Sequence, residues 1–153
     1  MCGIGGFVDY QRDARQFLPA AQRMKRTLTP RGPDAEGGFS SPDALLVHRR
    51  LIVIDPDGGR QPMYSPDGNT ILIYNGELYN TEDIRSDLVL RGHHFAGHSD
   101  TEVLLHAFLE WGTDAFPRLN GIFAFAIWQK AERRLTLCRD RLGVKPLFVA
   151  QTG

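Results

Sequence analysis

The first chemistry in this chain lies at its start, Met1-Cys2-Gly3. Cys is small enough for Met1 to be trimmed, which leaves Cys2 with a free α-amino group beside its own thiol. One residue then holds both a nucleophile and a base, because a free α-amine has a pKa of about 7.7–8.0 and can take up the thiol proton. If Met1 stays, the amine is an amide and the base is gone. Taken alone, Cys2 reads by default as a small residue opening a strand. Other residues are equally ambiguous singly. Asn75-Gly76 has the composition of a hairpin turn, Arg50 of a surface charge, and Asp100 of a carboxylate in the first turn of a helix. His48, His93, His94, His98 and His106 raise the question of a metal, and His94 and His98 have helical spacing. Phe95 and Gly97 argue against a helix there, and no Glu or Cys cluster completes a ligand set, so no metal site is expected. Cys138, in an apolar run, reads as an inert core thiol.

The elements that must position these residues follow from the apolar pattern. The chain has 153 residues, enough for one domain with a real core. Its 18 basic and 18 acidic side chains cancel, so no excess charge points to nucleic acid or an anionic membrane. No apolar run approaches the length of a bilayer span, and two cysteines suit a reducing cytosol better than a disulfide scaffold. A cytoplasmic protein is expected. Gly3 to Tyr10 reads as a first strand, and Phe17 to Leu28 as an amphipathic helix stopped by Pro30-Arg31-Gly32-Pro33-Asp34. Ala44–Val47, Leu51–Ile54 and Ile71–Tyr74 read as strands, with Asn75-Gly76 breaking the last. Helices are expected from Asn80 or Thr81 to about Leu90, and from a capping box at Ser99-Asp100-Thr101-Glu102 to about Trp111. Gly121–Trp128 reads as a central strand, Leu135–Cys138 as its hairpin partner, and Pro146–Ala150 as a last strand after the turn Arg139–Gly143. The strand runs do not alternate apolar with polar, so both faces should be covered. That pattern favours an α+β, four-layer αββα sandwich of two antiparallel sheets.

The ordered blocks Met1-Cys2-Gly3-Ile4, Arg31–Asp34, His48–Leu51, Gln61-Pro62-Met63, Tyr74–Asn80, Ser99–Glu102 and Arg139–Leu147 closely resemble the N-terminal glutaminase domain of class II glutamine amidotransferases. Within these, the wording is similar to glutamine-hydrolysing asparagine synthetase, and fits the aminosugar- and purine-forming enzymes less well. The resemblance implies the N-terminal-nucleophile hydrolase fold, which is the sandwich reached above from strand burial. It implies that Cys2 attacks the glutamine side-chain amide to form a thioester, with its own α-amine as base and then as acid to the leaving ammonia. Asn75 and Gly76 are implied as the oxyanion hole, where losing one donor typically costs about 10²–10³ in rate; a side chain at Gly76 could block that approach. Arg50 is implied as the partner of the glutamine α-carboxylate and Asp100 of its α-ammonium, with Leu51, Ile52, Val53 and Glu77 lining the substrate site.

The ammonia would feed an ATP-dependent synthetase domain in asparagine biosynthesis, with ATP and Mg expected only in that domain and no cofactor in this one. Amidation of another carboxylate, or a non-catalytic glutamine-binding domain, are the alternatives. Residues 1–153 are expected to be a glutaminase domain incomplete at its C-terminal end, with the synthetase domain outside this chain. The partners implied are glutamine, the C-terminal synthetase domain and a second copy of the chain as a homodimer. Arg31–Asp34 is expected to be loop architecture with no chemical step.

Overall fold

The computed structural model describes residues 2–52 and 58–151. The chain opens with β1 (Gly3–Val8) and a 3-10 turn at Ala14–Phe17, then α1 (Leu18–Thr27). Pro19 at the start of α1 and Lys25 and Arg26 in its last turn suit the helix ends. The strands β2 (Ala35–Ser40), β3 (Ala44–Arg50), β4 (Met63–Tyr64) and β5 (Thr70–Leu78) follow. Two helices, α2 (Thr81–Leu90) and α3 (Asp100–Trp111), precede the hairpin β6 (Gly121–Gln129) and β7 (Arg134–Arg139).

Among the described residues all pairings are antiparallel and make two sheets, ordered β1-β3-β2 and β4-β5-β6-β7. The alternation of side chains assigns each face. On β3, Leu45 and Val47 point outward and pack with Ala21, Met24 and Leu28 of α1. Ala44 and Leu46 point inward and meet Ile71 and Ile73 of β5 and Ala126 and Trp128 of β6. The opposite face of the second sheet, with Leu72, Phe123, Phe125 and Ile127, packs on Leu88 of α2 and on Val103, Leu104 and Phe108 of α3. The layers therefore run helix, sheet, sheet, helix, the α+β sandwich expected from strands with no polar face. No helix among the described residues is long and apolar enough to cross a membrane.

Four elements differ from the sequence reading. Strand β2 was hidden because Ala35-Glu36-Gly37-Gly38-Phe39-Ser40 has no apolar run; its Gly37 instead admits the backbone carbonyl of Gln61 where a side chain would collide. Strand β5 does not break at Asn75-Gly76: pairing with β6 continues through Asn75 opposite Ala124 and Gly76 opposite Phe123. Strand β3 stops at Arg50, and Leu51 and Ile52 leave the ladder, with residues 53–57 outside the described set. No strand forms at Pro146–Ala150, where Phe148 and Val149 are 92% and 73% exposed. There the Asp140 carboxylate, not a neighbouring strand, takes the N–H groups of Val144 and Lys145. Cys138 is half-buried on the outermost described strand rather than enclosed, and burial raises its thiol pKa, with Asp140 adding to the rise.

Candidate active site

Cys2 lies one residue before β1. Gly3 pairs with Arg49 and Ile4 with His48, so Cys2 shares the inward parity of Ile4 and falls beside Arg50 at the end of β3. Its Sγ is 3.9 Å from the Leu51 carbonyl oxygen. Across the inter-sheet space, Asn75 has the inward parity of Ile71 and Ile73 on β5. A cavity of about 260 Å³ opens between the sheets at this end. Its wall includes Cys2, Arg50, Asn75, Gly76, Glu77, Asp100 and Lys145, two cations and two carboxylates around one thiol.

The open edge of β5 shapes the cavity. Among the described residues strand β4 pairs only with Ile71 and Leu72, so beyond it the backbone of β5 needs other partners. The Tyr74 N–H donates to Gln61 Oε1 at 2.6 Å, and His48 Nε2 donates to the Tyr74 carbonyl at 3.2 Å. The Leu78 N–H donates to Asp100 Oδ2 at 3.2 Å. In an antiparallel ladder alternate residues face the same neighbour, so Gly76, between these two, also directs its N–H away from β6 and toward the cavity. Asp100 reaches this edge from the first turn of α3, where Ser99 is the N-cap and accepts from the Glu102 N–H. The Ser99 hydroxyl also donates to the Gly58 carbonyl at 3.1 Å, tying a wall of the cavity to the helix end.

Burial sets the protonation of the groups beneath this edge. His48 is 1% exposed and its pKa is pushed down to about 4, chiefly by desolvation, with Arg50 adding to it and the Tyr74 hydrogen bond opposing it. The ring is neutral, with its hydrogen on the nitrogen that faces Tyr74. Desolvation, then the Asp100 charge, raises the Tyr74 hydroxyl far above its ordinary value, so it stays a donor to Asp100 Oδ2 at 2.7 Å.

A glutamine amidotransferase domain profile matches residues 1–153. This chain is a member of the glutamine amidotransferase domain family. It is 51% identical over 156 residues to asparagine synthetase [glutamine-hydrolyzing] 3 of Bacillus subtilis, covering 100% of this chain and 25% of that protein. It is 36% identical over 149 residues to asparagine synthetase B of Escherichia coli, covering 97% of this chain and 27% of that protein. The chain thus spans about a quarter of the length of these curated relatives. The solved glutamine phosphoribosylpyrophosphate amidotransferase of B. subtilis superposes with a TM-score of 0.60 at 18% identity, covering 85% of this chain and 35% of that one, a likeness of fold.

Within this amidotransferase domain, Cys2, Arg50, Leu51, Asn75, Gly76, Glu77 and Asp100 come together at one cavity. Ile52 does not line it; its N–H donates to Asp34 Oδ2 at 2.8 Å while its side chain is 37% exposed. Val53 lies outside the described residues. The Arg31–Asp34 loop serves as a clamp on the end of β3. Gly32 packs where a Cβ would strike the Arg49 backbone, its carbonyl accepts from Arg49 Nε at 3.0 Å, and the Asp34 N–H donates to the Arg50 carbonyl at 3.0 Å. Packing also requires glycine at 76: a Cβ there would collide with the Ile122 carbonyl and Phe123 of β6.

Sequence reasoning missed Gln61, Tyr74 and Lys145 in the cavity wall. All three lie in the sequence blocks above, but the roles of Gln61 and Tyr74 depend on the short β4, and Lys145 read as part of a charged turn, since lysine ordinarily faces water. Among the described histidines, His93 and His106 pair, with their Nδ1 atoms 2.9 Å apart, and the His93 Nε2 lies 2.9 Å from Glu110. Neither is in the helically spaced pair His94 and His98. No three described His, Cys, Asp or Glu side chains are grouped to hold a metal ion.

Proposed function

We propose that this chain hydrolyses the side-chain amide of glutamine to glutamate and ammonia, with Cys2, freed of Met1, as nucleophile. The observation that carries the reading is the meeting of Cys2 with Asn75, Gly76, Arg50 and Asp100 at a single cavity. The α-amine of Cys2 takes the thiol proton as sulfur bonds to the amide carbon, and the carbonyl electrons move onto oxygen. The Asn75 amide and the Gly76 N–H hold that oxyanion. As the carbonyl re-forms, the carbon–nitrogen bond breaks, and the proton held by the amine goes to the leaving nitrogen, releasing ammonia and leaving a thioester. Water then adds to the thioester, the sulfur–carbon bond breaks, and glutamate and the thiol are restored. Arg50 pairs with the α-carboxylate through its planar fork. Asp100 spends Oδ2 on Tyr74 and Leu78, and its Oδ1, with no partner among the described residues, receives the α-ammonium.

The named relatives are glutamine-hydrolysing asparagine synthetases, which supports a synthetase domain that makes asparagine as the destination of the ammonia, with residues 1–153 as the glutaminase unit. ATP and Mg in that domain and a place in the cytoplasm belong to the same proposal. The test uses protein whose mass shows Met1 removed, incubated with glutamine and assayed for glutamate. Turnover by this protein and background turnover by Cys2→Ala are expected. Full activity in Cys2→Ala overturns the proposal.

A further inference from the structure

Lys145 is 7% exposed, an uncommon state for a side chain that normally keeps its ammonium in water. A specific loop puts it there. Asp140, itself 4% exposed, accepts through Oδ2 from the Phe123 N–H of β6 at 3.2 Å and from the Lys145 N–H at 2.9 Å. Its Oδ1 takes the Val144 N–H at 2.9 Å. Gly143, at φ 66°, closes the turn with its N–H on the Asp140 carbonyl at 3.0 Å, a left-handed conformation that disfavours other residues. One carboxylate therefore fixes the Lys145 backbone to β6, and the side chain joins the wall that holds Cys2, Asn75 and Glu77.

The cavity charges suggest what the ammonium does. Glutamine brings one carboxylate and one ammonium, and Arg50 and Asp100 match these. Glu77 and Lys145 are a further carboxylate and a further cation in the same wall. Position separates the two flanks: Asp100 contacts the open edge of β5, through Tyr74 and Leu78, whereas Lys145 hangs from β6 through Asp140. A substrate with its α-ammonium at Asp100 and its amide carbon at Cys2 places its amide oxygen beside Asn75, in the cavity wall that Lys145 shares. We infer that Lys145 is the cation of the amide end, holding negative charge on the oxyanion during the reaction and on the γ-carboxylate of the glutamate product.

This rests on the glutamine reading above. The neutral amide of bound glutamine gains little from a nearby cation, while an oxyanion or a carboxylate gains much. A buried charge in the same cavity is worth about tenfold or more in rate or affinity.

The test measures kcat and KM for glutamine and the inhibition constant of added glutamate in Lys145→Met and Lys145→Arg. In Lys145→Met the glutamate constant is expected to rise about tenfold, with KM for glutamine within about threefold and kcat about tenfold lower. Lys145→Arg, which keeps the charge, is expected to recover most of both losses. Lys145→Gln, neutral and polar, gives the same comparison if the Met chain does not fold. Glutamate and glutamine constants that rise by the same factor, or do not change, overturn the assignment. Parent protein that turns glutamine over while the glutamate-to-glutamine ratio ignores Lys145 refutes only this role; parent protein with no turnover refutes the glutamine reading itself.

Discussion

His48 makes the stability of this domain depend on pH in a defined window. Its pKa falls from an ordinary 6.5 to about 4 in the fold, so between those values the unfolded chain binds a proton that the folded chain refuses. Stability is therefore fully present above pH 6.5 and is lost as pH falls toward 4. The gap corresponds to about 2 kcal/mol lost by pH 5 and about 3 kcal/mol by pH 4. That is a large part of the roughly 5–15 kcal/mol typical of a domain. Carboxylates with lowered pKa values, Asp140 and Glu36 among them, also lose stabilisation on acidification, so a control is needed. His48→Gln supplies it: the Gln amide can donate to the Tyr74 carbonyl but does not titrate. Denaturant unfolding of both chains at pH 7, 6, 5 and 4 gives the stability difference at each pH. The parent is expected to lose about 3 kcal/mol more than the variant between pH 7 and 4. Parallel profiles across that range refute the reasoning, because they mean that His48 takes its proton as readily folded as unfolded.

Two further outcomes test the site from its walls. Gly76→Ala places a Cβ 2.6 Å from the Phe123 Cβ and against the Ile122 carbonyl, so β5 must move from β6. A loss of about 1–3 kcal/mol in thermal unfolding is expected, together with a fall in glutaminase rate of about 10² as the N–H shifts; unchanged stability refutes the packing argument. Arg50→Lys keeps the charge but not the fork, so KM for glutamine is expected to rise about tenfold with a smaller change in kcat. A KM that does not respond removes Arg50 from substrate binding.

Much of the architecture was legible because burial on both faces leaves a mark in sequence. Ala44–Val47 and Gly121–Trp128 are continuous apolar runs, and each lies in a strand with covers on both sides. The capping box at Ser99 also read directly, ending in the helix that presents Asp100. What stayed hidden is set by distant partners. The chain continues straight through Asn75-Gly76 only because β6 lies beside it, a fact no local turn preference contains. Gly37 and Gly38 form a strand because β3 pairs with them. Lys145 enters the cavity because a carboxylate five residues earlier collects three backbone N–H groups, Phe123 among them. The site blocks were readable as wording; their convergence on one cavity depends on the sheets closing over one another.

The most direct measurement is the intact and peptide mass of the Met1-free protein after exposure to a glutamine analogue carrying a thiol-reactive group at its side-chain end. A single added mass on Cys2, none on Cys138, and protection by excess glutamine are expected. Label on Cys138 with Cys2 untouched, or labelling of Cys2 that glutamine does not slow, contradicts the assignment of Cys2 as nucleophile.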